Sequence, residues 1–216
     1  MLVRSCYQSR VKWVAAGLCS VLLAGCVTTE QSLAPIDTSN FELEPTHAFL
    51  TAKVRHFGIS DYSIDFNGLS GQLDFDADDP VQSAVSIQID AAALETNFPD
   101  PEGKAEWETE LATGGRFLDG ENFPTVTFVS TRIEQTGAFT GTLTGDLNLR
   151  GVTRPVTLDV MFNGTATSPL DGGRRRVGFN ANGTFNRSDF GMGALSQFVS
   201  DEVRVEFSGE FIEPAR

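Results

Sequence analysis

Cysteine is scarce in this chain and badly placed for bridging. Of the three present, Cys6 and Cys19 fall within the first 25 residues, which leaves Cys26 alone in the remainder. No internal disulfide is available to that remainder, even in an oxidising compartment that would permit one. Histidine is almost missing as well. His47 and His56, the only two, lie nine residues apart. In a regular strand they face opposite sides, and no Cys, Asp or Glu spacing completes a ligand set with either, so no metal site is expected. Long apolar runs are lacking too. Trp13–Leu23 is apolar over 11 residues, well short of the roughly 20 that a membrane-crossing helix needs. Positive charge is in deficit, with 16 basic against 29 acidic residues and a net charge of −13. A field of that sign repels polyanions, which excludes nucleic acid as a partner. Finally, Gly68-Leu69-Ser70-Gly71 lacks one residue of a nucleophile elbow, and no acid–base or nucleophilic constellation assembles elsewhere. The chain reads as a binder and not an enzyme.

What is present begins with residues 1–25. Arg4, Arg10 and Lys12 precede the apolar stretch, no acid lies among them, and Leu23-Ala24-Gly25 leads into Cys26. A basic segment, a short apolar core and small residues before a cut are the marks of a secretory signal. Leu-Ala-Gly-Cys resembles the lipobox of bacterial lipoproteins. That likeness implies cleavage before Cys26, acylation of its thiol by groups such as palmitate, and a periplasmic protein held to a membrane by several acyl chains. Val27 in place of Asp favours the outer membrane in such proteins. Loss of the three basic residues leaves 13 basic against 29 acidic, a net charge of −16. Attachment would therefore run through lipid and not through charge. Residues 26–40, rich in Thr, Ser, Gln, Ala and Pro, read as a flexible tether reaching about 45 Å at most.

From residue 41 to 213 the apolar period is two. Val85, Ile87 and Ile89 alternate with polar residues, as do Val156, Leu158, Val160 and Phe162. Val177, Phe179, Ala181, Gly183 and Phe185 form one face of a later segment, and Val203, Val205, Phe207, Gly209 and Phe211 one face of the last. Further strands are predicted at 47–57, 126–133 and 142–149. The phase flips between Phe66 and Leu69 across Asn67-Gly68. That change fits either a hairpin or, as the preferred reading, a bulge in one long bent strand. One short helix is predicted over 101–113, ended by Gly114-Gly115. About eight one-sided strands with no α/β alternation predict an all-β, eight-stranded antiparallel barrel, which leaves no free edges. Its interior would hold packed side chains or one small ligand, and the mixture of Phe with Gly and Ala on the inward face leaves both open.

Several short segments stand in a fixed order along the chain. They are His47-Ala48-Phe49, Val54-Arg55-His56-Phe57-Gly58, Gly71-Gln72-Leu73-Asp74-Phe75-Asp76, Phe123-Pro124-Thr125-Val126-Thr127-Phe128, Leu143-Thr144-Gly145-Asp146-Leu147, Gly151-Val152-Thr153-Arg154-Pro155-Val156 and Asn186-Arg187-Ser188-Asp189-Phe190-Gly191-Met192. Together they resemble the YceI-like family of periplasmic, lipocalin-like, polyisoprenoid-binding proteins, and the likeness runs from about Phe41 to Phe211. It departs at 101–122, where the His and Arg that the family carries near its helix have no secure equivalents. The resemblance implies a lipocalin-like barrel with a tunnel for a long isoprenoid, of quinone or polyprenyl phosphate type. No other cofactor is implied, and the oligomeric state stays open, a dimer included.

On that reading Phe66, Phe75, Phe128, Phe179, Phe185, Val205 and Phe207 line the tunnel; without it they fill a core. Arg187 and Asp189, two apart, would share a strand face and pair, either near the mouth or as a structural tie. They are also the only pair that an enzyme acting on prenyl lipids could use. Arg174-Arg175-Arg176, the one basic run, reads more readily as a solvated strand start than as a diphosphate site. A third alternative is a structural or stress-response barrel with a filled interior and no ligand.

Overall fold

The computed structural model describes residues 39–215; Cys26 and the signal and tether readings lie outside them. The strands are β1 (Ser39–His56), β2 (Ser60–Phe66), β3 (Leu69–Phe75), β4 (Ala84–Asp90), β5 (Leu94–Glu95), β6 (Thr125–Gln135), β7 (Thr140–Leu149), β8 (Val152–Thr167), β9 (Arg175–Asn186) and β10 (Val199–Ile212), and the helix is α1 (Pro101–Thr113). Every pairing is antiparallel. The order β1-β3-β4-β6-β7-β8-β9-β10 returns to β1, so eight strands close a barrel.

The two additional strands follow from the phase change at Asn67-Gly68. Both β2 and β3 pair antiparallel with β1, β2 along Leu50–His56 and β3 along Ser39–Glu42. They therefore run the same way, and Asn67-Gly68 is a bend in one strand path. It is not a hairpin. The two-residue β5 adds to the outer edge of β2.

β1 starts eight residues before the predicted strand, for a physical reason. Its register against β10 slips between Leu43 and Ala48. Phe41 and Leu43 face inward before the slip, and Ala48 and Leu50 face inward after it. Odd positions give way to even ones across Glu44–His47, and the period of two is lost to the eye. Phe41, wholly buried, is the deepest large side chain of this strand.

α1 grows from Asp100, whose carboxylate accepts from the Gly103 N–H at 2.8 Å, with Pro101 at the first helical position. This is a standard helix start. It ends at Gly114, whose N–H donates to the Glu110 carbonyl. Leu111 and Ala112 are its buried residues. Glu108 fixes the helix to the barrel by accepting from the N–H of buried Thr96 at 2.5 Å and from its hydroxyl at 3.0 Å. Arg150, in the β7–β8 turn, donates to the carbonyls of Gly115 (2.9 Å) and Phe117 (2.8 Å) and so clasps the segment that follows α1. Asp100→Ala should cost about 1 kcal/mol. Hydrogen exchange should show it as faster exchange in the first turn of α1, with the barrel strands unaffected.

Candidate functional site

The barrel encloses a cavity of about 940 Å³. At one end it is bounded by the β1–β2 turn, α1 and the segment before β10, through His56, Phe57, Trp107, Phe117 and Phe198. At the other it is bounded by the β3–β4 and β6–β7 turns, through Asp78, Pro80, Gln135 and Phe139. Between them the wall is almost wholly apolar, with Val85, Ile87 and Ile89 from β4 and Val156, Leu158, Val160 and Phe162 from β8 all on it. The interior is therefore not filled, and the volume lies near the top of the usual range for small-molecule sites, about 300–1,000 Å³.

Seven of the sequence-nominated residues lie on this wall: Phe66, Phe75, Phe128, Phe179, Phe185, Val205 and Phe207. All but Val205 belong to or pack against one apolar cluster. Phe75 and Phe179 meet edge to face at 5.5 Å, and both meet Phe162 in tilted contacts (5.4 and 5.3 Å), near the end bounded by Phe139. Phe185 meets Phe190 at 5.4 Å at the opposite end. Such ring pairs add to area burial through their quadrupoles.

The glycines of the inward face explain how so many rings leave a void. A Cβ at Gly145 would fall 2.3 Å from the Phe128 ring, and one at Gly209 would fall 2.5 Å from the Phe207 ring. Each ring thus occupies the place that a side chain on the glycine would need. The space that glycine frees is taken by phenylalanine, and the lumen stays open.

Residues 41–211 match the model of the YceI-like domain. The chain belongs to the YceI-like family. It is 38% identical over 166 residues to a UPF0312 protein of Pseudomonas putida strain W619, a match covering 76% of this chain and 82% of the relative. Among solved structures it resembles Burkholderia cenocepacia BcnA, with a TM-score of 0.67 at 22% identity, over 78% of this chain and 98% of that one. It also resembles a polyisoprenoid binding domain from Saccharophagus degradans, with a TM-score of 0.55 at 15% identity, over 82% of this chain and all of that one. At those identities the likeness is one of fold.

In this YceI-like barrel the expected Arg187–Asp189 pair does not form. β9 ends at Asn186, and residues 187–190 make a tight 3-10 turn, so the two side chains no longer share a strand face. Asp189 is exposed and off the cavity wall. Arg187 is buried at 8% exposure and also borders the cavity. Its guanidinium donates to the carbonyls of Ser200 (2.8 Å), Ala194 (2.6 Å), Val199 (3.1 Å) and Met192. No carboxylate of the described residues lies within ion-pair distance of it. Asp201 is close enough for a weaker influence. A hydrogen bond from the Ser188 hydroxyl, aided by the Ser188 N–H and the Arg187 charge, holds the Asp201 carboxyl below its usual range.

The basic run is engaged and is not a solvated strand start. Arg176 contacts Asp171 (2.6 Å) and Glu210 (2.7 Å), and Arg175 contacts Glu213 (2.7 Å). The histidines are separated as expected. His47 sits in the β1 irregularity against Glu44, and His56 lies on the cavity rim. Among the described residues no group of three or more His, Cys, Asp or Glu could hold a metal ion.

Tyr62 and Trp107 are among the wall residues that the sequence reading did not nominate. Tyr62 lies on the cavity beside Ile64 and Phe66, and counting the same parity back two residues from Ile64 reaches it. Trp107, visible only as part of a helix face, donates its indole N–H to the Tyr62 hydroxyl at 2.6 Å.

Proposed function

We propose that this YceI-like protein is a periplasmic carrier, tethered to the outer membrane through acylated Cys26, that holds a long isoprenoid of quinone or polyprenyl phosphate type in its barrel. The observation that carries this reading is the continuous apolar cavity of about 940 Å³. Each methylene moved from water onto such a wall contributes roughly 0.8 kcal/mol. A chain of tens of carbons therefore has ample driving force, although ordering and desolvation reduce the net affinity far below the sum. The shared fold with a polyisoprenoid binding domain agrees with this assignment. Arg187 and Asp189, the one pair available to an enzymatic alternative, are directed apart, which favours binding over turnover.

The test is extraction of the purified full-length protein with organic solvent, followed by mass spectrometry of the extract. A prenyl lipid in near-stoichiometric amount is the expected result. An empty extract across several expression conditions would count decisively against the carrier. Fractionation of the membranes, with Cys26→Ser as control, tests the tether separately: the parent should follow the outer membrane and the variant should not.

A further inference from the structure

The cavity wall carries few polar groups, and those at the far end, Ser83, Gln135, Thr140 and Thr142, lie in or beside the β3–β4 and β6–β7 turns. Of the basic side chains that border it, Arg187 directs its guanidinium at four backbone carbonyls. Arg116 is held by Glu110, at 3.1 and 3.0 Å, and lies over the Phe117 ring. His56, at the rim, rests edge-on against Phe57 at 4.5 Å. Asp78, at the far end, adds a negative charge.

Tyr62, at the α1 end, differs from the arginines. Tyr62 lines the cavity, and its hydroxyl accepts the Trp107 indole N–H at 2.6 Å. Indole nitrogen is only a donor, whereas a phenol both accepts and donates. The contact thus occupies an oxygen lone pair and leaves the phenolic proton with no acceptor among the described residues. Trp107 is itself steadied by Phe117, ring to ring at 5.5 Å. The hydroxyl is thereby positioned by a fixed indole, with its proton uncommitted beside an apolar lumen. A donor in that setting is matched by an acceptor oxygen that arrives with the ligand.

We propose that Tyr62, oriented by Trp107, is the polar anchor of the cavity, and that it selects a neutral isoprenoid whose head carries a carbonyl oxygen over one that carries a phosphate. This rests on the carrier reading above and sharpens it. A phosphate would bring charge to a wall whose arginines are already engaged, and its desolvation would go uncompensated. A carbonyl needs only the single donor that Tyr62 holds out.

The chain has two tryptophans, Trp13 and Trp107, so a Trp13→Phe background makes Trp107 the sole indole reporter, adjacent to the proposed anchor. Three probes are titrated into the purified full chain: a farnesyl-substituted benzoquinone, read by quenching of Trp107; squalene, read by displacement of that quinone; and farnesyl diphosphate, read the same way. The parent should bind the quinone more tightly than the diphosphate. Tyr62→Phe keeps the ring and removes the hydroxyl. It should weaken quinone binding about fivefold to tenfold, the scale of one lost hydrogen bond, and leave squalene unchanged. Unchanged squalene binding also certifies an intact wall. Equal quinone affinity in parent and Tyr62→Phe would overturn the anchor while the carrier stood, and so would a diphosphate bound as tightly as the quinone. Binding of none of the three by the parent would overturn the carrier and the anchor together.

Discussion

Arg187→Ala should lower the stability of the barrel by about 3–4 kcal/mol, one of the largest effects available to a single side chain here. Arg187 is buried and donates to four carbonyls spread over residues 192–200. Alanine leaves those oxygens without their charged donor, and an unsatisfied buried acceptor costs more than a hydrogen bond contributes. The effects do not add in full, because the segment relaxes and admits water. For a chain of this size the melting temperature should fall by about 10 °C. In urea the midpoint should drop with the slope unchanged. Arg187→Lys keeps the charge but offers three donors from a single point, so it should recover only part of the loss. An Arg187→Ala protein with the parental midpoint would show that residues 191–198 keep their course without the guanidinium. Leu195 and Phe198 ride on that same segment and border the cavity, so the variant should also release bound lipid faster.

Ala181→Trp should sharply weaken chain binding while leaving the barrel folded. Ala181 lies on the cavity wall, paired with Phe207 of β10 and Val160 of β8. An indole at that level enters the lumen midway along its length. Pushing wall and ligand apart to admit both would cost about 1–3 kcal/mol or more, as overpacking does in cores, which corresponds to roughly tenfold to over a hundredfold in affinity. With no ligand present the indole enters existing space, so thermal stability should match or exceed that of the parent. Lipid content of the purified protein and its melting temperature, measured together, separate this outcome from misfolding. Full lipid occupancy in a folded Ala181→Trp protein would place the ligand elsewhere.

The parts of the fold that were legible in the sequence are those where one rule acts alone. β4 and β8 keep strict alternation, and Val85, Ile87 and Ile89, like Val156 to Phe162, all face the lumen. α1 carries its own start and stop at Asp100-Pro101 and Gly114, and its bounds were readable for that reason. The start of β1 was hidden because the slip between Leu43 and Ala48 inverts the parity of its inward residues. The Arg187–Asp189 pairing failed because it assumed extended backbone where β9 has already ended. Spacing of two has meaning only within a strand. Whether the Phe residues fill or line the interior was not decidable from the pattern, since both give the same alternation. The difference lies in where each ring finds room, and Gly145 and Gly209 reveal it only when strand neighbours are known.

The seam between β1 and β10 couples the two extremes of the domain directly, from Glu42 against Ile212 to His56 against Val199. The ring is therefore incomplete until the last strand has been synthesised, and every shorter chain exposes two unpaired ribbon edges and a greasy concave face. Contacts so distant along the chain repay their loop-closure entropy only at the end, which makes assembly slow and the nearly finished polypeptide vulnerable to aggregation. Loss of the final dozen residues would then be felt as failure to mature at all, and not as a weakened version of the same protein.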